Sequence, residues 1–203
     1  MKNTMATTRL LTASALLPAL LAATPNKATE VNPIEVGSTM PAVSLTQNDG
    51  NAVQLRDLVS EKATVIIFYR GSWCPFCTRH LTALGKVEKT LLDKGYQIIA
   101  ISPDSAEQVR EYNDESGINY TVYSDSLMTA SSAFGLTYKV DAPTLKKLDS
   151  YSIDIEAASG QDHNLLPVPA VYIVGTDGII DFRYYNPDYS TRLSAEDILE
   201  AVK

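Results

Sequence analysis

Two cysteines separated by two residues are the side chains of this sequence best suited to chemistry. Cys74 and Cys77, the chain's only cysteines, stand in the segment Arg-Gly-Ser-Trp-Cys-Pro-Phe-Cys, residues 70–77. The surrounding pattern predicts the end of a buried strand and the start of a helix, where unpaired N–H groups and the helix dipole favour a thiolate. A thiolate beside a second thiol can exchange disulfides or react with a peroxide. We therefore predict that Cys74 and Cys77 are catalytic.

The same cysteines also allow two non-catalytic interpretations. A structural disulfide closing so short a loop contributes only about 2 kcal/mol, against about 4.7 kcal/mol for a loop of roughly a hundred residues. A zinc ion could be bound by Cys74, Cys77 and His80, but no fourth ligand is evident beyond His163 or an acidic residue. The cysteine spacing favours redox chemistry over both, and we predict no metal.

The elements that must position the two thiols are a strand before them and a helix after them. Residues 63–69 form a nearly continuous apolar run, typical of a strand buried on both faces as in parallel sheets. The apolar residues that then recur at helical spacing are Leu81, Leu84, Val87 and Leu91. Pro75 suits the first turn of this helix, where its missing N–H costs little, and Gly95 can end it.

The remaining pattern predicts an α/β fold with a mixed central sheet flanked by helices. Strands are expected at residues 43–45, 53–55, 96–101, 120–123, 170–174 and 179–185, the first two as an N-terminal hairpin and the last two as a second hairpin. Helices are expected after the capping residues Ser105 and Ser194, over residues 126–134, and near residues 144–148. Residues 138–166 are otherwise irregular, and this insert either shapes a substrate cleft as a lid or only packs.

The first 28 residues differ from the rest and predict a signal peptide. They contain Lys2, Arg9 and Lys27 but no acidic residue, and an apolar stretch covers residues 10–23. That stretch is shorter than the roughly 20 residues of a membrane-spanning helix, so no stable membrane insertion is expected. We predict that residues 1–28 direct export to a periplasmic or other extracytoplasmic compartment and that residues 35–203 form the folded domain.

Charge and motifs limit the partners of the chain. The 17 basic and 24 acidic residues give a net charge of −7, which excludes a general affinity for nucleic acid. The sequence has no flavin, haem or nucleotide motif, so we predict no cofactor. Electrons then come from an external dithiol reductant such as a thioredoxin-like protein, and the substrate is a peroxide or a protein disulfide. The sequence leaves the oligomeric state open.

The strand, the Cys-x-x-Cys segment and the following helix resemble the alkyl hydroperoxide reductase/thiol-specific antioxidant family, in its peroxiredoxin-like branch within the thioredoxin-fold superfamily. The resemblance covers about residues 35–202 and includes the later segments Val168–Val174 and Asn186–Tyr189. It implies a thioredoxin-like fold with the 138–166 insert before a strand that begins at a cis proline, Pro169. It also implies that Pro169 faces the cysteines and exposes the Val168 backbone to an extended substrate or reducing partner.

The sequence departs from this family at two polar positions. A typical member has Thr or Ser three residues before its peroxide-attacking cysteine and an arginine entering the later strand. If Cys77 holds the attacking position, Cys74 replaces the Thr or Ser and Val168 replaces the arginine. Both changes restore the arrangement of thioredoxin, with Cys74 as exposed nucleophile and Cys77 as resolving thiol. The sequence thus slightly favours a thiol–disulfide oxidoreductase, with a thiol peroxidase as alternative and a non-enzymatic metal-binding domain as second alternative.

A few further side chains bear on the site. Trp73 is expected to form an apolar rim. Arg70 either lowers a thiolate pKa or binds an anionic group, or it is a solvated strand end. Arg183 is expected in a surface ion pair rather than as the missing peroxide-binding arginine. The side chains expected to face solvent are Arg79, His80 and His163.

Overall fold

The computed structural model describes residues 23–203. The greater part of the predicted signal peptide, residues 1–22, lies outside the described residues. The described chain begins with an extended segment and a single 3-10 turn, Ala28–Glu30. Within residues 23–203 no helix combines the length and the apolar character needed to cross a bilayer.

Nine strands and seven helices follow one another in the described residues. The strands are β1 (Ser44–Thr46), β2 (Ala52–Gln54), β3 (Ala63–Phe68), β4 (Tyr96–Ser102), β5 (Thr121–Ser124), β6 (Thr137–Lys139), β7 (Leu165–Pro167), β8 (Ala170–Val174) and β9 (Ile180–Tyr185). The helices are α1 (Leu55–Glu61), α2 (Pro75–Asp93), α3 (Ala106–Ser116), α4 (Thr129–Ala133), α5 (Ala142–Asp149), α6 (Ile155–Ser159) and α7 (Ala195–Ala201).

The central sheet is mixed, as the sequence predicts. Its seven strands lie in the order β2-β1-β5-β4-β3-β8-β9. β3 runs parallel to β4 and antiparallel to β8, and β4 runs parallel to β5. Val65, Ile66 and Ile67 of β3 are buried on both faces of the sheet, which explains the continuous apolar run. The two predicted hairpins form, as β1–β2 and as β8–β9.

Two apolar layers cover the faces of this sheet. On one face α2 and α7 pack against the strands through residues such as Leu81, Leu84 and Ile198. On the other face α1 and α4 pack around an aromatic cluster in which the rings of Phe68 and Phe134 lie 4.9 Å apart. Burial of each such side chain stabilises the fold by about 1.5–3 kcal/mol, and this fixes the end of β3 beside the start of α2.

The 138–166 insert is more regular than the sequence indicates. It contains α5 and α6, whose first turns are capped by the carboxylates of Asp141 and Asp154, and β7, which pairs antiparallel with β6. The helix expected near residues 144–148 is confirmed within α5. The insert has its own small core of Val140, Leu148, Ile155 and Leu166, against which Trp73 packs. The expectation of an otherwise irregular segment was wrong, and the insert lies against the cysteine loop.

The expected presentation of Val168 at a cis proline is also wrong. Residues 23–203 contain no cis peptide bond, so Pro169 is trans. Val168 is fully buried, and its N–H donates to the Leu136 carbonyl at 2.9 Å. The chain entering β6 therefore covers Val168, and this N–H is not free to pair with an incoming extended chain.

Candidate active site

The two cysteines lie at the start of α2, where the sequence places them. Cys74 is the N-cap residue and Pro75 the first helical residue, so Cys77 falls in the first turn. The backbone N–H groups of Cys77 and Thr78 both donate to the Cys74 carbonyl, at 2.9 and 3.0 Å. Both thiols are free and both are buried, Cys74 to 1% exposure and Cys77 to 0%. The expectation that Cys74 is an exposed nucleophile was wrong, because the insert and the aromatic residues around the helix start cover it.

The pKa values of the two thiols are shifted in opposite directions. The pKa of Cys74 is lowered to about 6, first by a hydrogen bond from the Cys77 thiol and also by the nearby Arg70 and Arg192 guanidinium groups, which together outweigh the effect of burial. Burial raises the pKa of Cys77 well above its ordinary value, and the Cys74 sulfur raises it further. At neutral pH, Cys74 is therefore the thiolate and Cys77 the protonated partner that stabilises it.

Arg70 is a buried cation beside Cys74. Its side chain is 4% exposed, and its guanidinium carbon lies 4.1 Å from the ring centroid of Tyr189 and 5.1 Å from that of Trp73. Aromatic faces stabilise a desolvated guanidinium by about 2 kcal/mol. The structure therefore rejects the solvated strand end and supports the other interpretation, in which Arg70 lowers the pKa of Cys74.

Arg192 is a second cation at the thiols, and sequence reasoning missed it. It lies between β9 and α7, and its Nη2 donates to the Cys77 Sγ at 3.4 Å. No local pattern marks this contact, because 115 residues separate the partners in sequence. Arg183, which the sequence predicts in a surface ion pair and not as the missing peroxide-binding arginine, does form an ion pair. Its Nη2 lies 3.0 Å from Glu35 Oε2.

A cavity of about 480 Å³ opens onto Cys74 but not onto Cys77. Its walls come from the cysteine loop through Trp73, from the insert through Thr144 and Leu148, and from the segment before α7 through Tyr189. The insert thus forms one wall of the space in front of the thiolate, as the lid interpretation expects. A molecule in this cavity meets mainly aromatic and apolar surface, with the Arg70 cation next to the sulfur.

Asp104 fixes the loop that carries Trp73. Its Oδ2 accepts hydrogen bonds from the Ser72 backbone N–H at 2.7 Å and from the Ser102 hydroxyl at 2.9 Å. Gly71 has a φ of +137°, and a Cβ at this position would lie 2.8 Å from Asp104 Oδ1 and overlap the Trp73 ring. Only glycine fits there, so the buried carboxylate and the glycine together hold Trp73 against the cavity.

The two histidines do not lie where the sequence indicates. His80 is buried at 8% exposure because it follows Cys77 by one turn on the inward face of α2. His163 is partly buried, with its Nε2 2.8 Å from the Ser126 carbonyl and its Nδ1 accepting from the Leu165 N–H. The expected solvent exposure of both was wrong, whereas Arg79 is exposed as the sequence predicts. In residues 23–203 no three His, Cys, Asp or Glu side chains gather in a way that could hold a metal ion.

Comparisons with known proteins agree with this fold. The model of the AhpC/TSA family matches residues 36–183. Peroxiredoxin Bcp of Escherichia coli K12 is 27% identical over 106 residues, which cover 52% of this chain and 67% of that protein. A putative peroxiredoxin bcp of Haemophilus influenzae is 28% identical over 106 residues, which cover 52% of this chain and 68% of that protein.

Two solved structures show the same fold. Reduced Prx3 of Vibrio vulnificus, crystallised in complex with H2O2, has a TM-score of 0.68 at 20% identity and covers 84% of this chain and 99% of its own. Peroxidoxin BcpB of Mycobacterium tuberculosis has a TM-score of 0.64 at 17% identity, with 83% and 94% covered. With the family match over most of the chain and two thiols at the start of α2, the protein is a thiol oxidoreductase that belongs to the AhpC/TSA family, in the peroxiredoxin-like branch of the thioredoxin-fold superfamily.

Proposed function

We propose that the protein is a thiol-dependent peroxidase in which Cys74 attacks the peroxide and Cys77 resolves the product. The proposal rests on the position of Cys74. Its thiolate is 1% exposed and faces a cavity of about 480 Å³ beside the buried Arg70. Such a site admits a small molecule and stabilises negative charge on it. The names of the bacterial relatives, which are peroxiredoxins, support the same choice.

A protein disulfide is the less suitable electrophile. Attack on a disulfide of another protein requires the nucleophilic sulfur to reach a surface, and Cys74 lies behind the walls of the cavity. It also benefits from free backbone groups that can pair with the substrate chain, and the N–H of Val168 is already bonded to Leu136. These two features favour the peroxidase over the disulfide oxidoreductase that the sequence slightly favoured.

The proposed reaction uses the opposite acidities of the thiols. The Cys74 thiolate forms a bond to one peroxide oxygen while the O–O bond breaks, which leaves a sulfenic acid and, after protonation, an alcohol or water. The Arg70 guanidinium stabilises the negative charge that moves from sulfur to the departing oxygen. The Cys77 sulfur then displaces the oxygen from Cys74 as water and forms a disulfide. An external dithiol reductant, of the thioredoxin type, returns the two electrons.

Rapid mixing of the reduced protein with hydrogen peroxide tests this proposal. Trp73, the only tryptophan of the chain, packs beside Cys74 and reports its oxidation through fluorescence. We expect oxidation far faster than that of free cysteine, and no insulin-disulfide reduction above that of a variant lacking both thiols. A peroxide rate equal to that of free cysteine, together with rapid insulin reduction, would reverse the assignment.

A narrower cavity is expected to slow the reaction with bulky peroxides more than the reaction with hydrogen peroxide. Thr144 is half-buried on α5 and lines the cavity, so Thr144→Trp places a large ring in front of Cys74. We expect the rate with cumene hydroperoxide to fall about tenfold, a loss of roughly 1.4 kcal/mol in transition-state binding, while the rate with hydrogen peroxide stays within about twofold. Lys146→Trp, on the exposed side of the same helix, is the matched control. Equal losses for both peroxides would show that the substrate does not use this cavity.

We also propose that the chain is exported. Support comes from the basic start, the short apolar stretch and the absence of acidic residues in positions 1–28. Expression of the full chain in a bacterium should give a periplasmic protein that lacks this segment by intact mass. A full-length product confined to the cytoplasm would contradict the proposal.

A further inference from the structure

The resolving step requires Cys77 to lose a proton in a buried place. Burial raises the pKa of Cys77, so this thiol does not ionise by itself at neutral pH. During the first step Cys74 is a thiolate and can accept the Cys77 hydrogen bond. After Cys74 has become a sulfenic acid, that negative charge is gone and a different group must accept the proton.

Two polar side chains flank Cys77 with unused hydrogen-bonding atoms. His80 follows Cys77 by three residues, so the two side chains are neighbours on one face of α2. Arg192 contacts the Cys77 sulfur at 3.4 Å. His80 Nε2 and Arg192 Nε are both buried and have no hydrogen-bond partner among residues 23–203. A buried nitrogen atom without a hydrogen-bond partner destabilises the folded state, and here two occur together.

His80 and Arg192 line the same small cavity. Its volume of about 10 Å³ corresponds to about one water molecule, and its other walls include Pro169, Tyr184 and Leu193. A water there can donate to an imidazole nitrogen and accept from a guanidinium N–H. A water there would give the two side chains a common polar partner, and Arg192 links this cavity to the Cys77 sulfur.

His80 is a neutral base at physiological pH. Burial and the charge of Arg192 together lower the pKa of His80 to about 4, although a hydrogen bond with the Leu193 backbone opposes them. A neutral imidazole can accept a proton, and a neighbouring guanidinium stabilises the thiolate that remains.

We propose that His80 and Arg192 activate Cys77 for the resolving step, His80 by accepting its proton and Arg192 by stabilising its thiolate. The proposal rests on the proposed function in one respect, namely that Cys74 is the sulfur oxidised first. The proton leaves Cys77 for His80 through one water, and the Cys77 sulfur forms the S–S bond as the S–O bond of Cys74 breaks. The departing hydroxide takes the proton from His80 and becomes water, so one sulfenic acid and one thiol give one disulfide and one water.

Tyrosine side chains of neighbouring segments also face these residues. Tyr69, which follows β3, and Tyr112 of α3 lie close enough to Cys77 for its charge to act on them, and burial raises the pKa of both above the ordinary value for tyrosine, so both stay neutral. Tyr184 of β9 lines the small cavity together with His80. Arg70 and Arg192 keep their positive charge throughout.

A mixed disulfide on Cys74 tests the proposal without any peroxide. Reduced protein reacts with Ellman's reagent to give thionitrobenzoate on Cys74, and attack by Cys77 releases the coloured thiol, which rapid mixing follows. In the wild-type protein we expect release to be nearly independent of pH between about pH 6 and 8, because the base lies inside the protein. In His80→Gln we expect release near pH 7 to fall about 100-fold and to rise about tenfold per pH unit, since solvent hydroxide must then ionise Cys77.

Controls separate this role from a structural one. His80→Gln should leave the rate of adduct formation at Cys74 and the circular dichroism unchanged, and Lys86→Gln, exposed on the same helix, should match the wild type in release. Arg192→Gln should slow release, and Arg192→Lys should recover most of it. A His80→Gln variant that releases within about twofold of wild type with a flat pH profile overturns the proposal. If thionitrobenzoate release behaved as expected but peroxide did not oxidise Cys74, the proposed peroxidase function would be wrong and the proposed role of His80 and Arg192 would stand.

Discussion

Replacing Cys74 with serine is expected to abolish peroxide consumption, whereas replacing Cys77 with serine leaves a single turnover. Cys74 holds the ionised sulfur and faces the large cavity, so its loss removes the nucleophile. Serine at position 77 keeps a hydroxyl that can donate to the Cys74 thiolate, so the first step survives. The resolving thiol is then missing, and the protein should stop after one equivalent of peroxide.

The measurement is peroxide consumed per protein molecule, with the sulfenic acid trapped by dimedone and located by mass spectrometry. The wild-type protein with an excess of dithiol should consume many equivalents, Cys77→Ser one equivalent, and Cys74→Ser none above the rate of free cysteine. Dimedone found on residue 77 of Cys74→Ser at the wild-type rate would assign attack to Cys77, the position that a typical member of the family uses. The order of the two sulfurs would then be reversed.

Loss of the buried cation at residue 70 is expected to slow the first step severely. Arg70→Gln removes a positive charge that lowers the pKa of Cys74 and that lies where negative charge develops on the departing oxygen. Removal of one such group from a buried site costs roughly 10²-fold in rate. Arg70→Lys keeps the charge and should lose less, although it cannot stack in the same way on Trp73 and Tyr189.

The pH dependence of the rate of Cys74 oxidation shows whether Arg70 lowers the pKa of Cys74. Cys74 reacts as the thiolate, so the wild-type rate should rise through about pH 6 and stay constant above about pH 7. In Arg70→Gln the rise should move to higher pH, and part of the lost rate should return near pH 9. Arg110→Gln, an exposed arginine of α3, is the control for a change in net charge. If the pH profile of Arg70→Gln matched that of the wild type, Arg70 would not lower the pKa of Cys74.

The part of the fold nearest to the thiols could be predicted because local signals determine it. The apolar run of β3, Pro75 at the first position of α2 and the amphipathic spacing of Leu81 and Leu84 fix the strand, the turn and the helix. In α3 the Ser105 hydroxyl accepts from the Gln108 N–H at 3.3 Å, as the capping pattern predicts. Each of these signals operates within one turn or one strand, so no distant contact is needed.

The insert and the charged partners could not be predicted because distant contacts determine them. The elements β6, α6 and β7 have three to five residues, too few to show a periodic pattern. Asp104 and Arg192 reach the cysteine region from segments 32 and 115 residues away. His80 was assigned to the surface because its polarity outweighed its spacing of three residues from Cys77.

The missing polar groups of the family motif also led sequence reasoning towards disulfide exchange. That reasoning placed Cys77 at the attacking position, so that Cys74 and Val168 stood where a typical member has its peroxide-orienting side chains. The structure nevertheless brings one guanidinium close to each sulfur, Arg70 beside Cys74 and Arg192 beside Cys77. Loss of two residues from a motif therefore does not establish the loss of the charges they supplied, because other segments of the fold can provide them.

The proposed chemistry depends on the ionisation of Cys74 at neutral pH, which the hydrogen bond from Cys77 favours. The ultraviolet absorbance of thiolate, titrated against pH in the reduced wild-type protein, tests it most directly. The account predicts that one thiolate forms with a midpoint near pH 6, is lost in Cys74→Ser and is shifted upward in Cys77→Ala, while the second thiol stays protonated beyond pH 9. Two thiols that both remain protonated well above neutrality would contradict it.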